Sequence, residues 1–89
     1  KIEPEDLRAA FFHGVALGLA GERDAAVPLF ERVAREGSPH LADESRWYLA
    51  LVALDRGETA KARGLLEAVA VSSSARASEA ARLAERLAE

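Results

Sequence analysis

Residues 11–33 read FFHGVALGLAGERDAAVPLFERV, and residues 47–69 read WYLALVALDRGETAKARGLLEAV. Set one above the other, Gly21-Glu22 meets Gly57-Glu58, Ala26 meets Ala62, Leu29 meets Leu65, Glu31 meets Glu67 and Val33 meets Val69. The aromatic pair Phe11-Phe12 falls on Trp47-Tyr48, and the offset is constant at 57 − 21 = 36. A fixed period of this size marks a stacked array of supersecondary units, none of which buries its apolar face alone. The chain therefore reads as two copies of one helix hairpin followed by a remainder.

Working outward, apolar residues recur at steps of three and four, the helical period. A first helix is predicted from about Pro4 to Ala20. Proline is tolerated in a first turn, and Glu5 and Asp6 complement the helix dipole there. Leu7, Ala10, Gly14, Leu17 and Gly18 share one face. Phe11, Val15 and Leu19 share an adjoining one, with Phe12 beyond, so the apolar arc is wider than a one-sided helix requires. Gly21 ends this helix. The second is predicted to start at a cap on Asp24, with Ala26, Leu29, Phe30 and Val33 as its stripe and Pro28 in its first turn or just past it.

Gly37-Ser38-Pro39 is a stop followed by a restart, with Ser38 as cap and Pro39 at the first helical position. The third helix is predicted from Pro39 to Arg56. Every residue from Trp47 to Leu54 is apolar, so this helix must meet neighbours on more than one side. Gly57 closes it. Thr59 is the predicted cap of a fourth helix reaching Val71, with Ala62, Leu65, Leu66 and Val69 inward and Gly64 at the position of Pro28. Ser72-Ser73-Ser74 is a polar joint. Ser74 lies 36 residues after Ser38 and is the predicted cap of a fifth helix, Ala75 to about Ala88. Ala80, Leu83, Ala84 and Leu87 form its narrow stripe. Arg76, Glu79, Arg82, Glu85, Arg86 and Glu89 fill a wet outer face, as the terminal element of an array needs.

The totals set bounds. Eighty-nine residues make one small domain. Alanine is the commonest residue, so the core must come from close helix contacts. A net charge of −3 argues against a nucleic-acid partner, which needs clustered basic residues. No run approaches the roughly 18 apolar residues of a membrane span. Without cysteine there are no disulfides or thiolate metal sites, and the compartment is left open. The chain lacks methionine and starts at Lys1, which reads as part of a larger protein.

These residues resemble the tetratricopeptide repeat (TPR) family, whose unit is a helix hairpin of about 34 residues with small residues where its helices touch. Gly14 and Ala26 stand at the small positions of the first copy, Ala50 and Ala62 at those of the second. Leu17, Phe30 and Val33, then Leu66 and Val69, match the large packing positions, while Ala53 replaces the large aromatic usual in the family. The period of 36 is longer than the family's, with the extra residues in the joints between hairpins. The resemblance implies an all-α solenoid: antiparallel helix hairpins in a right-handed superhelix of five helices. Repeat one would cover about residues 4–37, repeat two about 39–72, and a capping helix about 75–88. Independently of the family, two helices packed at 8–10 Å need small side chains at the crossing.

By the same resemblance, the first helix of each hairpin lines a concave groove. Arg8, Phe11, Val15 and Leu19 would face it in copy one, and Glu44, Trp47, Leu51, Leu54 and Asp55 in copy two. This apolar strip with charged edges suits an extended peptide or an amphipathic helix, with Trp47 as the anchor. Trp47→Ala is then expected to abolish binding with helical content intact. The plainer alternative is that these side chains pack on each other or on further repeats. A protein–protein interaction module is the leading reading. Homodimerisation through the first helix, especially Phe12, is the second. His13 and His40 read as structural histidines, and the acidic residues as dipole partners. No nucleophile–base pair, phosphate loop or metal spacing occurs, so neither catalysis nor a cofactor is expected.

Overall fold

A computed structural model describes residues 4–72 and 74–88; Ser73 of the polar joint and Glu89 of the wet face lie outside them. Its elements are α1 (Pro4–Leu19), α2 (Arg23–Glu36), α3 (Pro39–Asp55), α4 (Thr59–Ala70) and α5 (Ala77–Ala88), and no strand occurs among the described residues. Each helix packs chiefly on the next in sequence, and α1 also touches α3. The shortest dimension, 18 Å, is about two helix diameters of roughly 10 Å. The fold is all-helical and repeat-like, two helices thick.

The repeat is visible first in its turns. Gly21 and Gly57 adopt φ of 85° and 76°, a left-handed geometry that glycine enters without steric cost. After α1, Glu22 N–H donates to Leu17 O at 2.8 Å and Gly21 N–H to Gly18 O at 3.1 Å. After α3, Glu58 N–H donates to Ala53 O at 2.8 Å and Gly57 N–H to Leu54 O at 3.0 Å. Both turns are Schellman motifs, the same pair of bonds one period apart, and each satisfies carbonyls that a helix end leaves free.

The start signals are less uniform. Ser38 caps α3 as expected, its hydroxyl accepting from Leu41 N–H at 3.4 Å, with Pro39 at the first position. Asp24 and Thr59 do not cap. Both fall inside their helices, whose capping positions, Glu22 and Glu58, make no side-chain cap bond. The tight Schellman turn brings the chain straight into the next helix and leaves no extra residue for a cap. Ser74 holds a separate turn, accepting from Arg76 N–H at 3.1 Å, and α5 begins only at Ala77. Pro28 lies deeper in α2 than its first turn. It is exposed, as is its equivalent Gly64, so water can serve the carbonyl that Pro28, which has no N–H, leaves short.

The core repeats too. One cluster holds Phe11, Phe30 and Val33, joined by Leu49 of α3. The next holds Trp47, Leu66 and Val69, joined by Ala80 and Ala84 of α5. The first three positions of each are 36 residues apart. The Phe30 ring meets Phe11 edge-on at 5.9 Å and stacks on Tyr48 at 5.2 Å, so α1, α2 and α3 share one aromatic junction. Gly14 makes room for it. A Cβ there would lie 3.1 Å from the Phe30 ring, so the gap that Gly14 leaves is filled by an aromatic edge. Ala26, Ala50 and Ala62 are almost completely buried.

Polar contacts tie the hairpins together. Arg23 pairs with Asp55 at 3.3 Å, and Arg56 hydrogen-bonds Asp24. The two turns are thus joined by crossed ion pairs. The hydrogen bond and charge of Asp24 hold the Arg56 guanidinium above its ordinary value. A raised cation pKa stabilises the fold fully below the unfolded value and is lost only above the folded one, so this contact persists through neutral pH. Arg46 donates to Ala34 O and to Asp43, each at 3.2 Å, closing the carbonyl end of α2 from α3.

Two outcomes follow for urea denaturation. Nothing lies within 4 Å of a Cβ placed on Gly64, whereas one on Gly37 would lie 2.7 Å from the Val33 carbonyl oxygen. Gly64→Ala should therefore stabilise the chain by about 0.5–1 kcal/mol, and Gly37→Ala should cost about 1–3 kcal/mol through crowding. The Ser45 hydroxyl is fully buried with no partner among the described residues. Ser45→Ala should leave stability unchanged or raise it by about 1 kcal/mol.

Candidate interaction groove

The nine residues expected to line one groove occupy three kinds of place. Phe11 (7% exposed) and Trp47 (6%) are core residues. Val15 and Leu54 are half-buried, and Val15 packs on the first cluster. Arg8, Leu19 and Asp55 are exposed, and Asp55 is held by Arg23. Glu44 is half-buried and held by Arg76. Leu51, 39% exposed, is the apolar side chain of α3 that most clearly meets water.

Leu51 and one edge of Trp47 open onto a groove whose other wall is α5, lined by Glu79, Arg82, Leu83, Glu85 and Arg86. It offers about 640 Å³, against about 350 Å³ for the recess of Glu31, Arg35, Leu49 and Lys61 between α2, α3 and α4. The α1 residues of the expected strip do not line it. Its floor is apolar: Trp47, Leu51 and Leu83. Its rim carries two carboxylates and two guanidiniums, so it has no net sign with which to steer a charged ligand. His13 and His40 are both exposed and line none of these recesses. No group of three His, Asp or Glu side chains suited to a metal ion occurs among the described residues. No helix of the described residues is long and apolar enough to cross a membrane.

The α5 wall is missing from the sequence-derived strip because that strip takes in only the first helices of the two hairpins, whereas the 36-residue offset continues into α5. Carried once more along the third helix, it takes Trp47 to Leu83 and Leu51 to Leu87. Leu83 lines the groove, and Leu87 packs on the core beside it.

Arg76 was the less legible residue. The sequence pattern puts it on a solvated face, yet its Nε donates to both carboxylate oxygens of Glu44, at 3.2 and 3.1 Å. Its guanidinium lies 5.0 Å from the Trp47 ring centroid and 5.9 Å from that of Tyr48. One side chain thus pins the α4–α5 joint onto α3 by charge and by cation–π attraction. It also covers the indole that forms the groove's inner edge. Only the position of Arg76 in the joint, one period after His40, could have drawn notice to it.

Comparison with family models, characterised proteins and solved structures finds no match to this chain.

Arg76→Ala should cost about 1–2 kcal/mol, since it removes a partly buried ion pair and the cation over the indole. Arg76→Lys should recover under half of that, because an ammonium lacks the planar fork. Trp47 is the only tryptophan, so urea unfolding followed by its emission reads both variants directly.

Proposed function

We propose that this chain is a TPR-like repeat module, two hairpins and a capping helix in a short α-solenoid, and that it binds a partner protein in the α3–α5 groove. The observation that carries the reading is the floor of Trp47, Leu51 and Leu83, open to water between two helices with a polar rim on the α5 side. An apolar floor with a polar rim is the anatomy of a small protein interface. The rim's balance of two acids and two bases favours a ligand recognised by shape and apolar contact, such as an amphipathic helix or an extended peptide with one or two large side chains. The repeat of the core clusters and of the Gly-Glu turns supports the tetratricopeptide-like reading.

Trp47 does not make a clean probe of the groove. Truncating so buried an aromatic should cost about 3–5 kcal/mol, a large fraction of a small domain's stability. Leu51→Glu is the better variant, because Leu51 already meets solvent. Peptides selected from a random display library against the immobilised chain should bind the wild type and lose at least about tenfold in affinity for Leu51→Glu. Far-ultraviolet circular dichroism and the melting temperature should stay close to wild type. Selected peptides that bind Leu51→Glu as tightly as wild type would place the site elsewhere.

A further inference from the structure

The four charges on the α5 side of the groove balance in number, but they are not equally available to a ligand. Glu79 lies 3.9 Å from the Arg76 guanidinium. The acids that flank the floor along α3 are held too. Glu44, one turn before Trp47, pairs with Arg76 at 3.1 Å, and Asp55, one turn after Leu51, pairs with Arg23 at 3.3 Å. Glu85 also borders the recess between α4 and α5, beside Glu67, Ala70 and Val71. Arg82 and Arg86 line the groove and do not border that recess. Both are exposed, and among the described residues neither takes part in an ion pair.

The helical period explains the difference. At 3.6 residues per turn, Glu79, Arg82, Leu83 and Arg86 fall within one sector of about 100° on α5, and Glu85 lies about 60° outside it. Arg82 and Arg86 are thus neighbours along one helix face, about 6 Å apart in rise, with Leu83 between them reaching the floor. That spacing fits two carboxylates four residues apart on a helix, or two residues apart in an extended segment. Each guanidinium can receive a carboxylate through two parallel N–H donors. A basic segment would find every nearby acid except Glu85 already held, and would set its cations against both arginines, which is a repulsive filter as well as an attractive one. The chain as a whole carries −3, so this preference is local to the groove.

We propose, resting on the reading of this groove as a binding site, that its occupant is an acidic protein segment with a large apolar anchor. The anchor sits on Trp47, Leu51 and Leu83, and carboxylates on either side of it are held by Arg82 and Arg86. The floor supplies affinity to any apolar side chain of the right size, while the two arginines decide which segments are accepted.

Selection from a random peptide display library tests it, run in parallel on the wild-type chain and on Arg82→Glu/Arg86→Glu, and scored on peptides whose binding Leu51→Glu weakens. On wild type these should carry Asp or Glu within four residues of their large apolar residue, well above the library frequency. On the reversed variant Lys or Arg should take those places. A selected acidic peptide, made synthetically, should lose at least about tenfold in affinity for the reversed variant and regain most of it when its acids are replaced by Lys. Arg82→Gln/Arg86→Gln should fall between wild type and the reversal. The Kd of the acidic peptide for wild type should rise about threefold to tenfold between about 50 mM and about 500 mM NaCl. Far-ultraviolet circular dichroism should stay close to wild type, because both arginines are exposed. Leu51-sensitive peptides with no acidic bias, or that bind the reversed variant as tightly as wild type, would overturn this inference and leave the groove reading standing. Selection that yields no peptide sensitive to Leu51→Glu would overturn both.

Discussion

The structure depends on α3 being buried on almost every side. Eight of its 17 residues are buried, from Ala42 to Ala53, which a helix on the surface of so small a domain could not sustain. The sequence pattern permits it, because the run from Trp47 to Leu54 holds no charged side chain. Tyr48 and Leu49 face the aromatic junction with α1 and α2, while Trp47 and Ala50 face α4 and α5. Remove this helix and neither core cluster closes, because each takes residues from it. The other four helices need bury only one side, and α5, with Ala80 and Ala84 inward and charges outward, is the most sharply two-faced.

Around α3 the polar contacts are arranged across the repeat seam. The crossed pairs Arg23–Asp55 and Asp24–Arg56 join one turn to the other, and Arg76–Glu44 joins the last turn to α3. Each links residues 32 apart. The first two are exposed, and exposed pairs add little stability. Their role is orientation: oppositely charged ends fix how one hairpin settles on the next. Arg76 is different, because it lies over an indole and its carboxylate partner is largely buried, where both charge and dispersion count for more.

Core and groove compete for the same residues. A large aromatic at the Trp47 position serves the fold by filling the space under α5, and that burial leaves only an edge for a ligand. Leu51, one turn further on, is left half free. The large apolar side chains left open to water are therefore secondary ones: Leu51 at the groove, and Phe12, Leu19 and Val71 elsewhere. The dominant aromatics are committed to holding helices together.

Local chemistry determined much of this from the sequence alone. The five helices, their boundaries to within two residues, the glycine turns after α1 and α3 and the two-faced character of α5 all follow from periodicity, glycine placement and proline position. These are short-range effects acting over a few residues. Packing decided the rest. Whether Phe11 and Trp47 face water or core depends on how far α3 and α5 lean over them, and no local pattern distinguishes an apolar side chain beneath a neighbouring helix from one beside an open groove. Arg76 reads as a surface charge until the joint brings it over Trp47 and Glu44, 29 and 32 residues earlier in the chain. A contact between residues so far apart in sequence exists only once the helices are in place.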